Sequence, residues 1–326
     1  MQIWIIIIAV IGLFFYVFFG LLVFLLTAFK HGNLYDDDAV TYDEGRPDWV
    51  PKDAFVIDCH THTRASDGVL TPRQLILWHV SNGYDGMVVS DHNTMDAVDE
   101  AVQIAAEEFP DFLVIPGVEF TSLKTHLNII GCKELKTIPN ILWTTKRTIK
   151  KMIKEAHEQN AVVQFNHRDW YFHSLYGSME FYFECDIDGW EIYNGFGFID
   201  EEAPGFIEKH KGDRMMFRSA GTDVHDPASH HRVYTEILSD NRSVEGVIEA
   251  LRAGKSQVYY DVKSEKERTP PERGKIKENP ERTAYIKKWY WIFWIGDAIL
   301  MGRKKYRVYL FITAILTLSI VLSLVL

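Results

Sequence analysis

Val56-Ile57-Asp58-Cys59-His60-Thr61-His62 is the stretch on which the reading turns. Two β-branched residues lead into alternating polar positions, the pattern of a strand running into its C-terminal loop. In an extended chain residues two apart face the same way, so His60 and His62 point together. Two convergent imidazoles suit a transition metal. Cys59 lies between them and is expected to face away, as core.

Working outward, similar β-rich runs recur at Gly86–Ser90, Phe112–Ile115, Leu127–Ile130, Ala161–Phe165, Gly189–Tyr193, Met215–Ala220 and Val233–Leu238. Helical patterns separate several of them: one starts at Thr71-Pro72, with Thr71 as N-cap, and others cover Met95–Phe109 and Thr145–Asn160. Strands alternating with helices predict an α/β fold with a mostly parallel sheet, whose chemistry lies where strand C-termini feed their loops.

Those ends are chemically unusual. Ser90-Asp91-His92 closes the second run, Gly117-Val118-Glu119 follows the third, His126 opens the fourth, Asn166-His167 closes the fifth, and Gly221-Thr222-Asp223-Val224-His225 follows the seventh. Six of the 13 histidines therefore stand at strand ends, with Asp67, Glu119 and Asp223 among them. Packed together without metal, such groups would repel or stay unsatisfied. A multinuclear metal centre accounts for them. The donors are nitrogen and oxygen, which suits Zn, Mn or Fe without selecting among them. Asp91 is a candidate partner for a ligating imidazole. Arg64 and Arg168 could each offer a planar fork to phosphate. His230, with His231 and Arg232 beside it, could protonate a leaving group.

In these motifs, with Ser66-Asp67-Gly68, the chain resembles the PHP family, named for polymerase and histidinol phosphatase. The resemblance covers essentially the whole core. It implies a distorted (β/α)7 barrel with up to three metal ions and activity on phosphate esters. Carried over position by position, it implies His60, His62, Glu119 and Asp223 on one metal, with Glu119 bridging to a second that takes His126 and His167. Asp67, His92 and His225 would hold the third. Many relatives carry proline after the fifth-strand histidine, whereas this chain has Arg168-Asp169, which implies a different pocket there.

The surroundings of this core set further expectations. Ile3 to Phe29 contains no charged residue, and Val308 to Leu326 is apolar apart from Thr and Ser, so residues 1–30 and 303–326 are expected to supply transmembrane helices. Lys30 and the group Arg303, Lys304, Lys305, Arg307 place the domain at 54–262 on the cytoplasmic face of an integral membrane protein. Residues 31–53 and the Pro-containing, charged stretch 263–288 read as linkers, and the aromatic run within 289–302 as an interfacial segment. Three scattered cysteines form neither a disulfide framework nor a CxxC site. A net charge of −10 argues against duplex nucleic acid as a partner, leaving a phosphorylated small molecule, nucleotide or lipid headgroup.

The expected activity is therefore metal-dependent hydrolysis of phosphate mono- or diesters by a metal-bridging hydroxide, with Glu119 and Asp223 central to the centre. No Walker loop or GxSxG elbow is present to suggest another mechanism. Two rivals are a non-catalytic metal-binding scaffold at the membrane and an amidohydrolase-like metal hydrolase. The second usually needs a bridging lysine, for which Glu119 is a poor match.

Overall fold

The computed structural model describes residues 46–122, 125–137, 139, 144–168, 178–225 and 232–260, together with Phe14 and Phe18 and the backbone of residues 35–40, 261 and 276–278. The strands in chain order are β1 (Tyr35–Val40), β2 (Val56–Thr61), β3 (Gly86–Val89), β4 (Leu113–Ser122), β5 (Thr125–Ile130), β6 (Val162–Phe165), β7 (Gly189–Asn194), β8 (Phe217–Gly221), β9 (Arg232–Ile237), β10 (Ser256–Asp261) and β11 (Ile276–Glu278). The helices are α1 (Pro72–Ser81), α2 (Val98–Glu108), α3 (Lys146–His157), α4 (Met179–Phe183), α5 (Ala203–His210) and α6 (Val244–Arg252).

Strands β2 to β10 form one sheet in the order β10-β9-β2-β3-β4-β5-β6-β7-β8. Pairs β2/β3, β3/β4, β6/β7 and β7/β8 are parallel, as the alternation of strands and helices predicts. The other four pairs are antiparallel, which departs from a mostly parallel (β/α)7 barrel. The cause is local. β4 runs on past Gly117 to Ser122 and pairs directly with β5, with Thr121 opposite His126, and no helix intervenes. Gly117 sits where a Cβ would lie 2.6 Å from Val88 Cγ1, so it serves close packing within the sheet and does not end the strand.

The sheet curls into a nearly closed barrel. Thr61 pairs in parallel with Val224 just beyond β8, Asp223 N donates to His60 O at 2.8 Å, and His62 N donates to Val224 O at 3.2 Å. Gly221 makes this seam possible, since a Cβ there would stand 2.3 Å from the Cβ of His60. On the other side, Ser256 Oγ of β10 donates to Arg218 O of β8 at 2.7 Å. An α/β barrel-like architecture thus stands, with a mixed sheet where parallel strands were expected.

Helix α1 begins as its sequence predicts. Thr71 Oγ1 accepts from Gln74 N, and Gln74 Oε1 accepts from Thr71 N, a complete capping box, with Pro72 in the first turn. Thr145 caps α3 with a single bond, its Oγ1 accepting from Thr148 N. Helix α6, which periodicity did not single out, packs against β4, β6, β8 and β9. Its Val247, Ile248 and Leu251 join Ile57, Cys59, Val88, Ile115, Val162 and Phe217 in one apolar cluster. Contact with strands spaced around the barrel plugs one end with hydrocarbon. Cys59 is core, as expected, and burial pushes its thiol well up.

Two expectations about the flanks meet the structure differently. The integral-membrane assignment is corrected: among the described residues no helix is long and apolar enough to cross a membrane. Apart from Phe14 and Phe18, the two apolar segments, their basic flanks and the aromatic run at 289–302 lie outside the described residues. Within the stretches read as linkers, β1 and β11 pair antiparallel with Tyr35 opposite Glu278.

Candidate metal centre

Each of the nine metal-ligand candidates lies at the barrel end away from α6 or on the chain leaving it, and their donor atoms converge. His60 Nε2 and His62 Nε2 are 3.0 Å apart. Asp223 Oδ1 lies 3.3 Å from the first and 3.0 Å from the second, and Glu119 Oε1 lies 3.4 Å from His60 Nε2. A metal at the usual distance of about 2.0–2.1 Å from nitrogen and oxygen would have ligand atoms about 2.8–3.4 Å apart in octahedral or tetrahedral geometry. The observed edges match that cage.

Glu119 faces two ways. Its Oε1 is 3.1 Å from His126 Nδ1 and 3.4 Å from His167 Nε2, while Oε2 is 2.6 Å from His92 Nδ1 and 3.7 Å from His62 Nε2. Asp67 gathers the remaining candidates, with Oδ2 3.4 Å from His92 Nε2 and Oδ1 3.2 Å from His225 Nε2. Four sets of donors each fall within 4.8 Å: His60/His62/Asp223, His60/Glu119/His167, His92/Glu119/His126 and His62/Asp67/His92/His225. The grouping differs in detail from the pattern carried over by resemblance, because His62 also turns toward Asp67 and His92 also meets Glu119.

One atom tests whether this chemistry fits a metal. Asp223 Oδ1 is buried and receives no well-aligned hydrogen bond, although two imidazole nitrogens stand within 3.3 Å. An orphaned carboxylate oxygen at full burial is costly unless a cation meets it. Nitrogen and oxygen donors converging on it fit a divalent ion, and nothing among them selects which.

The chain shapes these positions through residues that the sequence reading left aside. Glu191, buried in β7, places Oε1 2.9 Å from His60 Nδ1, and its Oε2 accepts from His167 N at 2.7 Å and Asn194 Nδ2 at 3.1 Å. Asn194 Nδ2 also reaches Asp223 Oδ2 at 3.2 Å, and Asn166 Nδ2 donates to Glu119 Oε1 at 2.7 Å. Asp58 holds the seam: Oδ1 accepts from the backbone N of His60 and Thr222, and Oδ2 meets Thr222 Oγ1 and His79 Nε2. Asp91 binds Thr63 and Ser66 rather than an imidazole. A carboxylate at mid-strand, as in Trp190-Glu191-Ile192, was the available signal for Glu191.

Backbone strain collects here as well. Asp223 has φ +55° and His167 φ +27°, the left-handed region that L-residues rarely enter. Such strain persists where surrounding bonds over-determine it. Here those bonds are Asp223 N to His60 O and His167 N to Glu191.

Electrostatics of the unliganded cluster follow from crowding. Burial would raise the carboxyls of Asp67, Glu119 and Asp223, but neighbouring histidines outweigh it and hold all three well below the usual range. Burial together with His225 and His92 pushes His62 down to about 3, and burial outweighs Glu119 to push His126 down to about 4. Burial works against protonation of His225 too, yet Asp67 raises it to about 9. Carboxylates likewise hold His60 and His92 well above the usual histidine range against burial, so without metal the cluster pairs ionised carboxylates with protonated His60, His92 and His225, while His62 and His126 stay neutral; binding of cations would displace those protons.

Arg168 adjoins the centre in sequence, but its guanidinium makes a bidentate pair with Asp200 at 2.6 and 2.7 Å and reaches Glu202 at 2.9 Å. Arg64 is exposed. His230 and His231 lie outside the described residues.

With this geometry in hand, likenesses to known proteins can be placed. The fold is shared with a "two-domain protein containing predicted PHP-like metal-dependent phosphoesterase" from Bacteroides vulgatus, at TM-score 0.53 and 20% identity over 68% of this chain and 66% of that one. The likeness is one of fold. No family model matches the chain. A 5'-3' exoribonuclease of Haemophilus influenzae is 36% identical over 86 residues, 26% of this chain and 31% of that protein. The 5'-3' exoribonuclease Rnm of Escherichia coli is 34% identical over 80 residues, 24% of this chain and 27% of that protein. The chain thus spans less than a third of the curated relatives it matches. The expectation that duplex nucleic acid is not a partner is overturned by these relatives, which act on nucleic acid. Net charge averages over a whole chain, whereas a strand or its end is met locally.

Proposed function

We propose that the chain is a metal-dependent phosphoesterase. The observation that carries this is the convergence of six histidines and three carboxylates at separations that divalent ions would span. When bound, such ions polarise a phosphoryl oxygen and lower the pKa of water enough to make it a nucleophile near neutral pH. Glu119, with its two oxygens facing different histidines, would bridge adjacent ions. His60, His62 and Asp223 would complete one site, His126 and His167 a second, and Asp67, His92 and His225 a third. Glu191 holds the His60 ring with Nε2 inward, and Asn166 and Asn194 fix the orientation of Glu119 and Asp223. The substrate class is a phosphate ester. The exoribonuclease likeness supports a nucleoside phosphate or strand end over a simple sugar phosphate.

The test is a panel of phosphomonoesters, phosphodiesters, 5'-phosphorylated oligoribonucleotides and amides, assayed with Zn, Mn or Fe. Turnover of phosphate esters that chelation abolishes is expected, and Glu119→Gln should lower metal content by more than one ion and activity by at least about 100-fold. Hydrolysis of amides alone, or unchanged turnover and metal content in Glu119→Gln, would overturn the reading.

A further inference from the structure

The loop after β7 carries two phenylalanines to the rim of the centre. Phe196 stands with its ring 5.7 Å from His225, and Phe198 stands 6.5 Å from His167, so one turn borders two of the donor groups. Phe196 is 44% exposed, whereas His167 is buried and His225 keeps only 13% of its side chain exposed. The turn that presents it is tightly built. Asn194 N donates to Phe198 O and Gly197 N to Asn194 O, both at 2.9 Å, and Tyr193 pairs with Ile199 across its base. Gly197 takes φ +93°, and Gly195 lies where a Cβ would be 2.3 Å from Thr222 O. Asn194 joins the turn to the centre, since its Oδ1 accepts from Phe196 N at 3.0 Å while its Nδ2 reaches Asp223 Oδ2. The backbone of Phe196 is therefore tied to a candidate metal ligand through one amide side chain.

We infer that Phe196 is a stacking platform for the base of a nucleoside phosphate whose phosphoryl group lies at the cluster, which makes it a specificity-determining residue. This rests on the phosphoesterase reading and narrows it to base-bearing substrates. A rigid aromatic face stacks on any base, because every base has a π-face, so the selectivity is for a base over none and not for one base over another.

The experiment compares adenosine 5'-monophosphate, a 5'-phosphorylated tetra-adenylate and base-free ribose 5-phosphate with wild type, Phe196→Ala and Phe196→Trp. In Phe196→Ala the ratio of kcat/KM on the base-bearing substrates to that on ribose 5-phosphate should fall about tenfold, or about 1.4 kcal/mol, mainly through KM. Phe196→Trp should restore it. A fall with both adenylates identifies the nucleotide itself as the ligand, and a fall confined to the tetra-adenylate identifies a strand end; either supports the platform. An unchanged ratio, or no rescue by Trp, overturns it. Calorimetric binding of adenosine 5'-monophosphate and ribose 5-phosphate to the metal-loaded proteins reads the same ratio without turnover. A chain that hydrolyses no phosphate ester yet loses adenylate affinity in Phe196→Ala would refute the hydrolytic reading and keep the platform, and an unchanged affinity ratio would refute the platform.

Discussion

Replacing Glu191 by Gln isolates what a buried carboxylate contributes without touching a candidate ligand. The two side chains have the same shape, so the apolar packing of β7 should persist. Glu191 accepts three hydrogen bonds, from His60 Nδ1 at 2.9 Å, His167 N at 2.7 Å and Asn194 Nδ2 at 3.1 Å. The amide oxygen of Gln can keep the latter two, which share Oε2 in the native protein. Its NH2 group would then face His60 Nδ1, and a donor there favours the tautomer in which Nδ1 accepts and Nε2 carries the proton. A protonated Nε2 cannot bind metal. Loss of such a partner typically costs ten- to a hundred-fold in metal affinity, about 1.4–2.7 kcal/mol. That agrees in size with the ~1.5–3 kcal/mol expected of a hydrogen bond to a charged group. Competition titration with a chromogenic chelator should show the ion held by His60 loosened by this amount, while circular dichroism of the metal-free protein matches wild type. Unchanged affinity and stoichiometry in a folded Glu191→Gln protein would refute the idea that Glu191 sets the His60 tautomer.

Gly221→Ala should open the seam, because the new Cβ meets His60 Cβ at 2.3 Å and His60 N at 2.9 Å, atoms that cannot yield without moving β2. Overpacking typically costs about 1–3 kcal/mol, so a lower denaturant midpoint and reduced metal content are expected together. Metal removal should lower the melting temperature of wild type and reloading should restore it, since a ligand bound only by the native state stabilises it; equal melting of metal-free and loaded protein would count against resident ions.

Much of this was legible because strand ends advertise themselves. His60 and His62 could be placed together from a period of two, even though the β2/β3 register shifts between Asp58 and Thr61 and interrupts strict alternation. The eight β-rich runs all correspond to strands, and Thr71 and Thr145 cap their helices as expected. What escaped was information carried by partners distant in sequence. The continuation of the third run through Gly117 to Ser122 depends on the close approach of Val88, which is a tertiary fact. His79 lies on α1, 21 positions from Asp58, and only the fold brings its Nε2 to that carboxylate. Arg168 resembled a free cation until Asp200, 32 positions away, was found to occupy it. The assignment of ligands to individual ions remains the proposal made above.

The seam held by Asp58 has a consequence for how the protein is made. Its carboxylate joins the second strand to Thr222, a partner 164 residues later in the chain. His60 and His62 therefore wait for Asp223 and His225 until nearly the whole barrel has been synthesised and wound. Contacts so distant in sequence carry the loop-closure cost of everything between them, and they favour slow, late closure. A nascent chain released before Gly221 would carry the first histidine pair without its opposing carboxylate, so metal capture by the full set of donors becomes a report that the barrel has closed.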